Sequence, residues 1–328
     1  MSSGATVDGV LVQWGERLFY PGNRMVKALP QPRLNTLVRR QAAVIRRRIE
    51  ATVMRRAPQV IVKVAGGGRG MGAITAHLRY ISKNGRLAFE DDRGVVQQDE
   101  QALHDLAQQW RFGGSLIDEI SPRREAFNLT LSMPRGTDPQ LVLKAAREFG
   151  RIELKDHFYV MVLHEHQANP HVHLTVRAES KSGLRLHPGR TDIHRWRETF
   201  AQLLRSHGVE AEATRQSTRG EARRSEQLWQ RRASDAGLLR NAPEPMKSGD
   251  AYQRNRVGAL QAWAHIVAAL RDSDQACDRE LAQRISSFIV ESTFAKEHGR
   301  RPQREAPAPV RPLEPVISRD RPGPAIER

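Results

Sequence analysis

The chain is poor in cysteine, aromatic residues, acidic side chains and long apolar runs, and each shortage excludes something. Its one cysteine, Cys277, rules out an intramolecular disulfide framework and fits a reducing compartment. No apolar run approaches the ~20 residues needed to span a bilayer. The start, MSSGATVDGV, lacks the basic-then-apolar order of a secretory signal. Aromatics make up 5% of the residues, too few for base stacking to dominate contacts with nucleic acid, so backbone contacts should carry them. Acidic residues number 37 against 53 lysines and arginines, a net charge of +16. That excess favours a polyanionic partner, because neutralising phosphates releases counterions. There is no internal repeat.

What is present divides the chain into four stretches. Residues 1–57 form a basic leader with little sign of a core. Within it Leu34, Val38, Ile45 and Ile49 recur at helical spacing between arginines, an amphipathic helix suited to DNA, a membrane, a partner or the domain itself. Residues 58–220 carry strand and helix patterns in the order β-α-α-β-α-β-β-α, which predicts an α+β domain with an antiparallel sheet flanked by helices. The strands are VIVKVA, FNLTLSM, HFYVMVLHE and HVHLTVRAE. The helices fall near 71–83, 99–121, 138–150 and 192–207, with Asp138 as N-cap, Pro139 in the first turn, and Gly150 and Gly208 as stops. Residues 221–300 are polar and mostly helical, with helices expected at 219–235, 250–272 and 274–298 and a linker at NAPEPMKSGD. Residues 301–328 are rich in proline and arginine and are expected to be disordered.

Four of the twelve histidines crowd into HEHQANPHVH, residues 164–173. On a strand, side chains two apart share a face, so His171 and His173 point one way while Val172 and Leu174 point into the core. A hairpin pairing 158–164 with 171–177 brings His164 beside His171. Three converging imidazoles suit a borderline divalent ion and leave coordination positions open, the arrangement of a catalytic metal site. The bland alternative is a strand end with solvated histidines. Glu165 and His166 lie in the connecting loop.

The run GGGRGMG follows a strand and opens a helix. Gly68 to Ala73 contain a Gly-x-Gly-x-x-Ala pattern, but no alternating βαβ units follow, so a dinucleotide fold is not expected. A strand-to-helix turn whose amides, with Arg69, approach a phosphate is the plainer expectation. In the helix beyond, Met71, Ile74, Leu78 and Ile81 form the buried stripe. At ~100° per residue, Tyr80 projects well away from it, beside Arg79, Lys83 and Arg86. A tyrosine is a nucleophile only when something activates it; otherwise it is an exposed aromatic.

HLRYISKNGRLAFE, NLTLSMPRGTD and LHEHQANPHVHLTV, in this order and spacing, resemble the three motifs of conjugative relaxases of the MOB-P class, the class of the Agrobacterium border endonuclease. The resemblance covers about residues 59–220. It implies the relaxase fold, with Tyr80 as the transesterifying nucleophile and Ser132 as the second-motif serine holding DNA near the nick. It also implies His171 and His173 as the His-hydrophobe-His metal pair, His164 as the third ligand, and Asn169 and Pro170 as the turn before the pair. The family carries an acid two residues after the first histidine, where this chain has His166. That leaves Glu165, His166 and Asn169 as candidates for the shell around the metal.

The implied cofactor is a divalent ion, Mg²⁺ or Mn²⁺ in first place and Zn²⁺ as the alternative. The implied reaction is site- and strand-specific nicking of a transfer origin through a 5′-phosphotyrosine, in the bacterial cytoplasm. Arg69, Arg79, Lys83, Arg86 and Arg190 would grip the single strand. The implied partners are accessory relaxosome proteins and a type IV coupling protein, with export of the protein–DNA adduct to a recipient cell. Two rivals share part of this pattern. A rolling-circle replication initiator has the same chemistry but usually places its histidine pair before the tyrosine, and a non-catalytic DNA-binding protein needs only the charge.

Overall fold

The computed structural model describes residues 6–20, 35–165, 169–221 and 249–298. The expected tail, most of the 219–235 helix and almost all of the linker lie outside the described residues. Two helices precede the sheet, α1 (Val7–Phe19) and α2 (Thr36–Val53). Then follow β1 (Ile61–Gly66), α3 (Met71–Ile81), β2 (Phe89–Asp91), β3 (Val96–Gln97), α4 (Glu100–Phe112), β4 (Ala126–Ser132), α5 (Pro139–Glu153), β5 (His157–His164), β6 (His171–Ser180) and α6 (Arg190–Ser206). The last three described helices are α7 (Asp250–Arg271), α8 (Ala276–Glu291) and α9 (Thr293–His298).

The strands form one antiparallel sheet in the order β1-β4-β6-β5-β2-β3, as the α+β pattern predicts. One face packs Leu129, Leu131, Val172, Leu174 and Val176 against Phe149, Trp196 and Phe200 of α5 and α6. The other packs Phe89, Ala126, Val160 and Val162 against α3 and α4, through Ile74, Leu78, Ile81, Leu106 and Trp110. Burying each such side chain contributes roughly 1.5–3 kcal/mol, and this double cover holds the central strands in register.

Three local expectations change. The hairpin β2–β3 lies where none is predicted, because strands of three and two residues are too short to display alternation. Its turn is held by Asp91, whose carboxylate accepts from the amides of Arg93 and Val95, both at 2.9 Å. Asp138 does cap α5, accepting from Gln140 N at 2.8 Å, but Gly150 does not stop it. The helix runs on to Glu153, and Gly150 is there because the Tyr159 ring lies where a Cβ would go. The third change concerns residues 1–57, which do contribute to a core. Leu11, Leu18, Phe19, Ile45 and Ile49 pack with Trp263, Ile266, Leu270 and Ile285 of α7 and α8. These partners lie at the far end of the sequence, so a local window could not reveal them. Val38, Ile45 and Ile49 of the predicted stripe are therefore covered by the protein itself, and Leu34 lies outside the described residues.

Candidate active site

The β5–β6 register sets the site. His164 pairs with His171, and His173 pairs with Val162, so all three imidazoles occupy the face covered by α3 and α4. Their ring centroids lie 4.6–5.1 Å apart, and one nitrogen from each lies within 4.8 Å of the others. His164 and His171 are 5% and 8% exposed.

Backbone carbonyls fix two of the tautomers. His164 Nε2 lies 2.6 Å from the Ile81 carbonyl, and His171 Nδ1 lies 2.9 Å from the Asn169 carbonyl. A carbonyl only accepts, so His164 carries a proton on Nε2 and His171 on Nδ1, and the opposite nitrogen of each is the one that would meet a metal. Burial, with His164, His171 and His77 adding to it, pushes the His173 pKa down to about 3. His173 is thus held neutral, the form in which imidazole binds a metal, and backbone carbonyls orient the other two rings. That donor set fits a divalent ion with open coordination positions.

Tyr80 is 68% exposed, on the side of α3 away from its buried stripe, as the helical spacing predicts. The carbonyl of the next residue, Ile81, is the one that orients His164, so the end of α3 abuts the cluster. Ser82 closes that end by donating to the Leu78 carbonyl at 2.8 Å, and Lys83 and Asn84 adopt positive φ (52° and 58°) to turn the chain away. His77 went unremarked in the sequence. It stands one turn before Tyr80 with ring centroids 6.3 Å apart, it lies close enough to His173 to lower its pKa, and burial lowers its own. The i, i+3 spacing to Tyr80 is the signal that could have found it.

Ser132 pairs with His171 across β4 and β6 and donates to the Pro170 carbonyl at 3.3 Å. Asn169 acts through two acceptors: its carbonyl orients His171, and its side chain accepts from Arg135 N at 3.0 Å. Glu165 is exposed at the strand end, and His166 lies outside the described residues. Arg79, Lys83 and Arg86 are exposed around the end of α3 beside His164. Arg69 and Arg190 are not brought to the histidines. The loop with Arg69 follows Gly66, which pairs with Asn128 at the other end of β4 from Ser132, and Arg69 donates to the Pro122 carbonyl. Arg190 opens α6 just beyond His187 and Pro188, which line a pocket with Arg69 at that same end.

The glycine turn is not a phosphate cradle. The amides of Met71 and Gly72 donate to the carbonyls of Asp118 and Glu119 at 2.9 and 3.2 Å. A Cβ on Gly70, whose φ is 93°, would strike the Glu119 carbonyl. The glycines serve close backbone approach.

Residues 81–209 match a family model described as the MobA/VirD2-like nuclease domain of relaxases. This segment is a MobA/VirD2-like relaxase nuclease domain. A relaxase nuclease domain implies DNA nicking in conjugation and mobilisation. Its matched span contains Ser132, His164, His171 and His173 and begins one residue after Tyr80. No curated protein matches the chain. A solved structure, from work on the molecular basis of vancomycin resistance transfer in Staphylococcus aureus, is similar at 13% identity. That likeness covers 48% of this chain and 99% of the other, with a TM-score of 0.32, too low to bear on fold or chemistry. Among the described residues, no helix is long and apolar enough to cross a membrane.

Proposed function

We propose that the chain is a site- and strand-specific relaxase that nicks a transfer origin by transesterification onto Tyr80. The observation that carries this reading is the junction of α3 with the histidine cluster. The carbonyl next to Tyr80 orients His164 at 2.6 Å, which sets the end of α3 against the three donors and supports assigning the exposed phenol to the same site. His164, His171 and His173 would hold a divalent ion, with Mg²⁺ or Mn²⁺ ahead of Zn²⁺. When bound, such an ion supplies charge neutralisation at the scissile phosphate.

The remaining chemistry falls to the chain. The Tyr80 hydroxyl forms a new Oη–P bond and gives up its proton, while the P–O3′ bond breaks and the departing 3′-oxygen takes one up. The products are a 5′-phosphotyrosine and a free 3′-hydroxyl, and since one phosphodiester replaces another, rejoining is the same step in reverse. Arg79, Lys83 and Arg86 grip the strand near the nick, and Arg69 and Arg190 would touch DNA only further along its path. Ser132 and Asn169 keep the ligand strand in place. Glu165 and His166 remain candidates for the shell around the ion. Relaxosome accessory proteins, a type IV coupling protein and export of the adduct from a bacterial cytoplasm complete the reading, all by analogy with the family.

The test is a covalent-adduct assay on supercoiled plasmid carrying the DNA that flanks the gene, with Mg²⁺ or Mn²⁺. Wild type should give a protein–DNA adduct resolved by denaturing electrophoresis, and Tyr80→Phe should give none. An adduct that persists in Tyr80→Phe overturns the nucleophile assignment.

A further inference from the structure

On the histidine face, paired residues form rows across the strands. Ile61, Ser132, His171 and His164 make one, and Lys63, Thr130 and His173 the next. The α3–α4 cover lies over β5 and β2, whereas Lys63 on β1 is exposed. Beyond β1 the sheet ends. Along that edge, which Glu212 bridges at Gln59, runs a groove of about 740 Å³, floored by residues 59–63 and walled by Arg197 of α6, Arg215 and Ser217 after it, and Tyr252 and Asn255 of α7.

Among the described residues the groove is cationic, with Lys63, Arg197 and Arg215 in its lining against one acid, Glu221. Arg197 is the informative member. Neighbouring arginines meet carboxylates: Arg48 pairs with Glu198 and Glu212, Arg195 with Glu153 and Asp192, and Arg205 with Glu212. Among the described residues no ion pair reaches Arg197, which only donates to the Val62 carbonyl at 3.4 Å. Burial alone lowers its pKa, with no carboxylate raising it. A half-buried guanidinium without a counter-ion is costly unless a ligand supplies the negative charge. The field nearby is positive as well: Arg48, Arg197 and Arg215 add to burial in holding His194 at about 4.

We propose that this β1-edge groove binds the phosphodiester backbone of the single strand flanking the scissile phosphate, with Lys63 and Arg197 as its principal cations. The inference rests on the nicking reading above and extends its DNA path. Lys63 stands two strand spacings from His173, ~10 Å, so a strand leaving the histidines reaches the groove within a few nucleotides.

Binding of a fluorescent oligothymidylate, followed by anisotropy across a salt series, tests it. Loss of two phosphate contacts in Lys63→Gln/Arg197→Gln should make the slope of log K on log salt shallower by roughly 1.4, at ~0.7 per contact for a single strand. Arg284→Gln, which removes an exposed charge on α8, should leave it unchanged. If circular dichroism shows the double variant unfolded, Lys63→Gln alone should lose ~0.7. An unchanged slope in a folded variant overturns the site, and an equal loss for duplex DNA overturns its assignment to single strands. The adduct assay separates the two readings. An adduct with an unchanged slope removes the groove alone. A shallower slope with no adduct from wild type removes the nicking chemistry and leaves a single-strand site.

Discussion

Each histidine of the cluster is set by a different part of its surroundings. Ile81 and Asn169 carbonyls orient two rings, and burial keeps the third neutral. If the proposed ligand set holds the ion, His171→Ala/His173→Ala should abolish stoichiometric Mn²⁺ binding in titration calorimetry while the far-UV spectrum stays native, since neither ring belongs to the apolar clusters on the two faces of the sheet. The same depressed pKa values make stability pH-dependent. His173 at about 3 and His194 at about 4 both lie below the ordinary histidine value. Below ~6.5 the unfolded chain therefore takes up protons that the folded one refuses. Their contribution is fully present above that pH and is lost as pH falls toward the folded values. The Tm of metal-free protein should drop steadily from about pH 7 to pH 4, and His194→Gln should remove part of the drop. A flat profile across that window contradicts the assignment of two neutral buried imidazoles. Alternation about Val172 made His171 and His173 legible in the sequence. His77 was legible only through its i, i+3 spacing to Tyr80, a weak signal until the fold shows that it also faces His173.

At the scale of elements, α3 is the piece on which the site depends. It must leave β1 by a tight turn, run back along the sheet and end against His164. The turn works only because Gly70 has φ 93° and lacks a Cβ, which would strike the Glu119 carbonyl. Gly70→Ala should cost ~1–3 kcal/mol in urea unfolding and lower adduct yield by displacing Tyr80. Full stability would show that the loop at Glu119 can give way. The stripe of α3, the N-cap of α5 and the β5–β6 pairing were readable because each is written within a dozen residues. The β2–β3 hairpin is too short for periodicity. Gly150 looked like a stop, and only the fold shows that it makes room for Tyr159. The glycine run resembled an anion cradle for a similar reason, since nothing local tells which carbonyls reach its amides first.

Across the whole molecule, a helical layer built from both ends of the described chain rests on the relaxase domain. Arg48 is a main link between them. It is nearly buried, pairs with Glu198 at 2.8 Å and Glu212 at 3.3 Å, and lies over the rings of Phe19 and Tyr20. Arg48→Ala leaves two carboxylates short of their partner and should destabilise by ~3–5 kcal/mol in chemical denaturation. A change under 1 kcal/mol would mean that water replaces the guanidinium freely.

The shared core of α1, α2, α7 and α8 also sets an order of events during synthesis. The first two helices leave the ribosome long before their partners exist, so Leu11, Leu18 and Ile45 wait uncovered while the sheet folds behind them. A chain cut short after α6 would keep the histidine cluster and carry that bare stripe permanently, as a surface for aggregation. Only a ribosome that has passed α8 releases a protein able to bury it.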